Sequence, residues 1–370
     1  MSLPRQTRKI KVGTVQIGGG APVSIQSMTN TDTADAEATS AQIRKLADAG
    51  CEIIRCAVPD EAAVRALPEI LARSPIPVIA DIHFDYRLAL GAIRAGIHAI
   101  RINPGNIGSS DRVKAVAEAA GEAGIPIRVG ANSGSLPKGL IESIMAKGFS
   151  REDAMPRALT EAALAQAALL EQFGFKDIAV SLKSSSVVST VQACRFFAES
   201  SDIPLHIGIT EAGTPSIGIV KSAVGIGTLL MEGIGETMRV SLTADPVQEV
   251  AAGLAILESA GLRRPEPELV SCPTCGRTKI DLEHLADEVF SFVKDLKASG
   301  RRIHLRKIAV MGCVVNGPGE ASDADLGLAG GAGCAVVFQN GKTLKTLPEK
   351  DALEFIKQQI LEHTDPVSRS

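Results

Sequence analysis

The 370-residue sequence predicts an α/β protein, a closed (β/α)8 barrel followed by a small α+β domain. Three observations predict it. Up to about residue 262, eight short β-branched apolar runs alternate with longer Ala-rich amphipathic stretches, the pattern of parallel βα units. Eight such units match a closed barrel of the TIM type, whereas a doubly wound open sheet has about five or six strands. Beyond residue 268 the alternation stops and a different, Gly-rich pattern begins. The composition agrees: with 35 Gly, 3% aromatic residues, one Tyr and no Trp, the core is built from Ala, Val, Ile and Leu around tight turns.

The eight strand candidates start at Val23, Glu52, Pro77, Ala99, Pro126, Asp177, Pro204 and Thr237. Between and after them the spacing predicts helices over 36–49, 60–73, 85–95, 111–123, 152–173, 187–199, 216–231 and 246–260. Several begin at Asp or Ser, which cap helix N-termini, and several end before Gly. The barrel domain is expected over 1–262. Residues 263–268 (RRPEPE) read as a linker, because two prolines among charges cannot continue the preceding helix. The second domain, 269–370, carries a Cys-x-x-Cys turn, a helix (281–298), a strand (303–311), a Gly-rich loop, a Gly-rich strand from Cys334 and a terminal helix (350–363).

A net charge of −3 and a pI near 6.1 leave no basic footprint for nucleic acid. No run of eighteen apolar residues is present to span a membrane. The N-terminus is basic without the apolar core of a signal peptide. Seven cysteines, an odd number without a regular framework, point to a reducing cytoplasm.

Active sites of parallel barrels lie at the C-terminal ends of the strands. Polar residues stand at every such end: Asn30, Arg55, Asp81 with His83, Arg101 with Asn103 and Asn106, Arg128 with Asn132, Lys183, Glu211, and Arg239 with Ser241. Pairs two residues apart share one side of a strand, here the barrel mouth. One strand-end Arg could be a rim ion pair. Five cations (Arg55, Arg101, Arg128, Lys183, Arg239) imply a multiply charged anion, most simply a phosphate or diphosphate. Glu211 either orients these cations or serves as a general acid/base. His83 is a phosphate donor, an acid/base or a rim histidine.

Cys272-Pro-Thr-Cys275-Gly is a metal knuckle. Cys313, in a Gly/Pro-rich loop, is a third candidate ligand, and the fourth is Cys334 or a non-cysteine group. Cys334 would complete a zinc ribbon, although ribbons come as two knuckles. An iron–sulfur cluster accommodates single, distant ligands. Cys51, Cys56 and Cys194 read as buried barrel residues.

The segments DIHF (81–84), RINPGNIG (101–108), HIGITEAG (206–213), GIGTLL (225–230), RVSLT (239–243), SCPTCGR (271–277) and GCVVNGPGE (312–320), in that order, resemble the 4-hydroxy-3-methylbut-2-enyl diphosphate synthase family in its two-domain bacterial form. The resemblance implies a [4Fe–4S] cluster held by Cys272, Cys275, Cys313 and Glu320, with Cys334 not a ligand. It implies reductive ring opening of 2-C-methyl-D-erythritol 2,4-cyclodiphosphate, with electrons arriving singly from reduced flavodoxin or ferredoxin. Glu211 becomes the candidate proton donor to the leaving oxygen, and Glu320 a displaceable iron ligand. Arg55, Arg101, Asn103, Arg128, Asn132, Lys183, Arg239 and Ser241 would hold the diphosphate, with Asp81 and His83 beside them. The eighth barrel helix must end near Gly261 at the face opposite the mouth. Only a fully stretched linker would return the cysteines to their own barrel. A head-to-tail homodimer avoids that strain, and the resemblance implies the same arrangement.

Overall fold

The computed structural model describes residues 4–264, 267–313 and 321–366. The chain divides into two compact units, Met1–Leu262 and Arg263–Ser370.

In the first unit a hairpin, β1 (Ile10–Val12) and β2 (Val15–Ile17), precedes the barrel. The barrel strands are β3 (Ser24–Met28), β4 (Ile53–Ala57), β5 (Val78–Asp81), β6 (Ala99–Arg101), β7 (Ile127–Asn132), β8 (Ile178–Lys183), β9 (His206–Ile207) and β10 (Thr237–Met238). All pair in parallel in the order β8-β7-β6-β5-β4-β3-β10-β9, and a bridge from Val180 to Leu205 closes the ring. The eight expected strands and eight principal helices are therefore all present. Six helices are capped as their sequences imply: the side chains of Asp35, Asp60, Asp85, Ser150, Ser186 and Asp245 each accept a first-turn N–H.

Alternation along the strands separates two environments. Ile54, Cys56, Ala80, Ile100, Val129, Leu182 and Val240 pack outward against the helices. The inward residues stack in layers contributed by alternate strands, set by the parallel registers. The base layer is Ile53, Ala99, Ala179 and Thr237, and above it lie Gln26, Ile79, Arg128 and His206. Next come Arg55, Arg101, Ser181 and Arg239, then Met28, Asp81, Gly130 and Gly208. Asn103, Lys183 and Ser241 stand at the top.

The hairpin was not legible in the sequence. Gly13, at φ +55°, occupies the first central position of its two-residue turn, which a II′ turn reserves for glycine. Ile10, Val12 and Ile17 pack on Ile53, Ile79, Ala99 and Ala179 and stopper the lower end of the barrel. Arg5 anchors the strap before the hairpin through the carbonyls of Ser201 (2.6 Å) and Ile203 (2.7 Å).

The second unit is a five-stranded sheet, β11 (Glu268–Ser271), β12 (Lys307–Met311), β13 (Leu326–Gly330), β14 (Cys334–Gln339) and β15 (Lys342–Pro348). The first three strands run parallel and the last three antiparallel. Helices Leu282–Ala298 and Glu349–Glu362 pack on one another and contribute to a second core. Three expectations need correction. The linker ends before Glu268, whose N–H already bonds Arg306 O at 2.7 Å as β11 begins. The strand expected from residue 303 starts at Lys307, since Ile303 instead bridges Thr364. The single strand expected from Cys334 is a hairpin: Asn340 and Gly341 both have positive φ, as a type I′ turn requires.

Replacing Ile17, a fully buried stopper residue, by Ala should cost the barrel about 2–5 kcal/mol. Urea unfolding monitored on the barrel should show this as a lower midpoint. An unchanged midpoint would mean that the hairpin is not part of the barrel core.

Candidate active site

The barrel strands bring five cations into one interior. Arg55, Arg101 and Arg239 share a layer, Arg128 lies beneath them and Lys183 above. Among the described residues two buried carboxylates face this group. Asp81 is 3.4 Å from Arg55 Nε, 3.2 Å from Arg101 Nη1 and 3.5 Å from His83 Nε2. Glu249, from the helix Pro246–Ser259, takes both Nε and Nη2 of Arg239 at 3.1 Å. It also accepts Ser27 Oγ and Leu242 N–H at 3.0 Å. Five cations against two carboxylates leave three positive charges uncompensated.

The electrostatics follow. Burial raises the Asp81 carboxyl, but the His83 hydrogen bond and the charges of Arg55 and Arg101 outweigh it and hold Asp81 well below the ordinary carboxylate range. Burial lowers Arg55 to about 10, with Asp81 offsetting part of the effect. Arg128 and Lys183 are pushed well down by burial and by the neighbouring arginines. The sulfur of Met28 accepts from Arg55 Nη2 at 3.1 Å, a weak acceptor where a carboxylate would have cancelled the excess. Such a site favours an anion of several charges.

The other expected residues fall in different places. Asn103 is buried, and its Oδ1 caps the short helix Pro104–Ile107 through Gly105 N–H (3.1 Å). Asn132 sits beside Lys183 in register, and Ser241 stands two residues beyond Arg239. His83 is half-exposed on the rim. Glu211 is exposed, at φ +52°, in the turn after β9, and makes none of the described side-chain hydrogen bonds or ion pairs. Strain of this kind in a non-glycine residue is found at functional turns.

Sequence reasoning missed Glu249, His206, Ser181 and Gln26. Glu249 left a trace: it is a charge on the buried helix face formed by Pro246, Val250, Gly253 and Leu257. Gln26, Ser181 and His206 left none, because they lie within their strands and not at the C-terminal ends where barrel sites are expected.

In the second unit Cys272 follows β11 and Cys313 follows β12, and pairing of Ser271 with Val310 sets both at one sheet edge. Cys334 opens β14 on the same edge, beyond β13. Gly312 N–H donates to Cys272 Sγ at 3.1 Å. Hydrogen bonds from Arg277, backbone first and then side chain, hold the exposed Cys275 thiol below its ordinary value. Cys313 is buried. Among the described residues no three His, Cys, Asp or Glu side chains are gathered in metal-ligand geometry, and Glu320 lies outside the described residues. The donor chemistry nonetheless suits a thiolate-bound centre: N–H groups aimed at sulfur and a cation beside a thiol both favour the thiolate.

Replacing Glu249 by Gln leaves Arg239, whose side chain is only 16% exposed, without its counter-charge. The barrel should lose about 3–5 kcal/mol in urea unfolding, and millimolar pyrophosphate should restore part of that loss. A variant as stable as the parent would show that Glu249 does not compensate Arg239.

Comparison with known proteins bears on the whole chain. The family model described as GcpE TIM-barrel domain matches residues 7–254, and that described as GcpE protein C-terminal domain matches 268–362. A 4-hydroxy-3-methylbut-2-en-1-yl diphosphate synthase (flavodoxin) of Clostridium perfringens is 51% identical over 350 residues, 95% of this chain and 97% of its own. The enzyme of that name from Geobacter sulfurreducens is 54% identical over 346 residues, 94% of each chain. Both family domains in order and relatives of this identity over nearly the full length place the chain in one family: it belongs to the GcpE family of 4-hydroxy-3-methylbut-2-en-1-yl diphosphate synthases.

Proposed function

We propose that the barrel mouth binds 2-C-methyl-D-erythritol 2,4-cyclodiphosphate and that the chain, an oxidoreductase of isoprenoid precursor synthesis, opens the ring reductively to 4-hydroxy-3-methylbut-2-en-1-yl diphosphate. The observation that carries the reading is the uncompensated positive charge inside the barrel, which a diphosphate would neutralise. The relatives' names supply the product and the flavodoxin. Two electrons enter, and the C3 oxygen leaves as water.

Each group has a task. Arg55, Arg101, Arg128, Lys183 and Arg239 bind the diphosphate, with Asn103, Asn132 and Ser241 around them. Asp81 and Glu249 hold the guanidinium groups in place, and His83 lies at the rim beside Asp81. Glu211, on its strained turn, would hold the proton delivered to the leaving oxygen. Cys272, Cys275, Cys313 and Glu320 would hold a [4Fe–4S] cluster. When bound, that cluster supplies single-electron reduction and a Lewis-acidic iron. Reduced flavodoxin is the expected donor. No helix among the described residues is long and apolar enough to cross a membrane, and cytoplasmic residence is part of this proposal.

The linker argument extends the reading to assembly: residues 1–262 and 269–370 act as barrel and cluster domains, and a head-to-tail homodimer sets each cluster domain over its partner's barrel.

Three measurements test this. Anaerobically purified protein should carry about four irons and four acid-labile sulfides per chain, and one zinc without sulfide would refute the cluster. Pyrophosphate binding should take up protons through Lys183. Its pKa is depressed in the free protein, and a bound anion raises it. The Lys183 share of the affinity is therefore fully present below its free-state pKa and falls as pH rises above it, on top of the titration of pyrophosphate itself. Calorimetry in buffers of different ionisation enthalpy reads the net proton exchange, and the uptake owed to Lys183 is the part that Lys183→Arg should remove. Finally, Glu211→Ala and Cys272→Ser homodimers should be nearly inactive, whereas mixed dimers regain up to half the activity. Mixed dimers that form and stay inactive would mean that each cluster domain serves its own barrel.

A further inference from the structure

One outer face of the barrel is apolar. Nine large hydrophobic side chains are exposed among the described residues, and five of them, Ile217, Ile219, Val220, Val224 and Met231, stand on the helix Pro215–Met231. Those at 217, 220, 224 and 231 recur at steps of three, four and seven, which sets them on one outward line. Lys221 is the single charge on that helix. Other barrel helices turn ion pairs to solvent one helical turn apart: Glu61 with Arg65, Glu69 with Arg73, and Lys114 with Glu118.

The neighbouring helix, Pro246–Ser259, continues the face. It exposes Ala251, Ala255 and Ser259, and between the two helices runs a groove of about 510 Å3. Ala223, Gly227, Ala252 and Ala255 help to line it, and no charged residue does. A methyl group added at Gly227 would meet nothing within 4 Å, so the groove lies open there. A raised apolar line beside a shallow groove of small residues is complementary to a second copy of itself. Across a two-fold axis each line enters the other's groove. At 1.5 Å per residue the helices are ~25 and ~21 Å long, and at ~10 Å across each they present roughly 500 Å2. That exceeds the few hundred Å2 of apolar surface that monomers ordinarily leave to water. Two such faces bury roughly 1,000 Å2, the size at which a specific interface begins.

We propose that this face is the surface through which two copies of the chain join, barrel to barrel. The inference rests on the head-to-tail reading of the dimer and adds where the barrels meet. Linker length supports it. The helix Pro246–Ser259 follows the last barrel strand and so ends away from the mouth, and the first unit ends at Leu262. Residues 263–267 reach at most ~18 Å, less than two helix diameters. A partner barrel whose mouth receives the cysteine-bearing domain must therefore stand directly beside this helix, with its axis reversed. The apolar face lies on that side. With Lys221 as its one cation, the face has little to recognise a charged protein partner, whereas an identical face matches it in shape and polarity.

The test is sedimentation velocity on the anaerobically purified full chain, with turnover by reduced flavodoxin measured alongside. The parent should be a dimer at micromolar concentration, and a monomeric parent overturns the proposal together with the head-to-tail reading. Val224→Glu and Gly227→Arg change positions outside the barrel's own core. Each should raise the dimer dissociation constant at least about a hundredfold, because an unpaired charge is buried on both sides of the axis. Pyrophosphate binding should stay within twofold. Monomeric variants without turnover satisfy both the face and the head-to-tail reading. Monomeric variants with full turnover keep the face and refute the head-to-tail reading. Variants as dimeric as the parent refute the face, and subunit mixing then decides the head-to-tail reading by itself. Should the variants not fold alone, co-expression of Val224→Glu with Val224→Lys decides. Opposite charges across the axis should give a soluble one-to-one dimer, and chains that stay insoluble together overturn the proposal.

Discussion

Like charges confined in a small volume govern the architecture of the first unit. Arg55, Arg101, Arg128, Lys183 and Arg239 converge inside the barrel, where Asp81 and Glu249 are, among the described residues, the buried carboxylates facing them. Two unit charges ~6 Å apart repel by roughly 3 kcal/mol at an effective dielectric constant of ~20. Such an interior opposes folding, and the surrounding structure must bear the cost. The apolar base does part of this, since the hairpin stopper and the layer of Ile53, Ala99 and Ala179 form an apolar floor for the charged layers. The outer shell does the rest, with strands and helices sharing one continuous hydrophobic core.

The compensation is partial by construction. Glu249 reaches Arg239 from a helix outside the barrel and fixes its guanidinium bidentately without occupying the mouth. Asp81 is shared between two arginines, so neither is fully neutralised. Met28 offers sulfur where a carboxylate would have completed the pairing. Each choice holds a cation in position while leaving charge available, the trade of stability for function that pre-organised sites make.

The second unit uses the same device for different chemistry. Parallel strands again end at one edge, and that edge presents Cys272 and Cys313, with Gly312 N–H directed at the first sulfur. Thiols placed at strand ends are held by the sheet register and not by loop geometry alone. The knuckle Cys275 is the exception: it is exposed and tuned by the adjacent Arg277.

Much of this was determined by the sequence alone. Alternating β-branched runs and capped amphipathic stretches specify parallel βα units locally, so the eight strands, their helices and the strand-end cations were legible from Val23 to Gly261. The knuckle and the lone Cys313 were equally plain, because their chemistry lies in residue type and short spacing. Tertiary structure alone decided the partnerships. Glu249 with Arg239 joins a helix to the strand before it, and Gln26 with Arg128 spans 102 residues across the ring. No local pattern encodes such pairs, since they arise from barrel closure and strand register. The same register lowers His206 beneath the cations and sets Gly130 and Gly208 in one layer. The hairpin stopper was hidden for a related reason. Ile10, Val12 and Ile17 carry too short an apolar signal to be read until the open end of the barrel gives them a surface to cover.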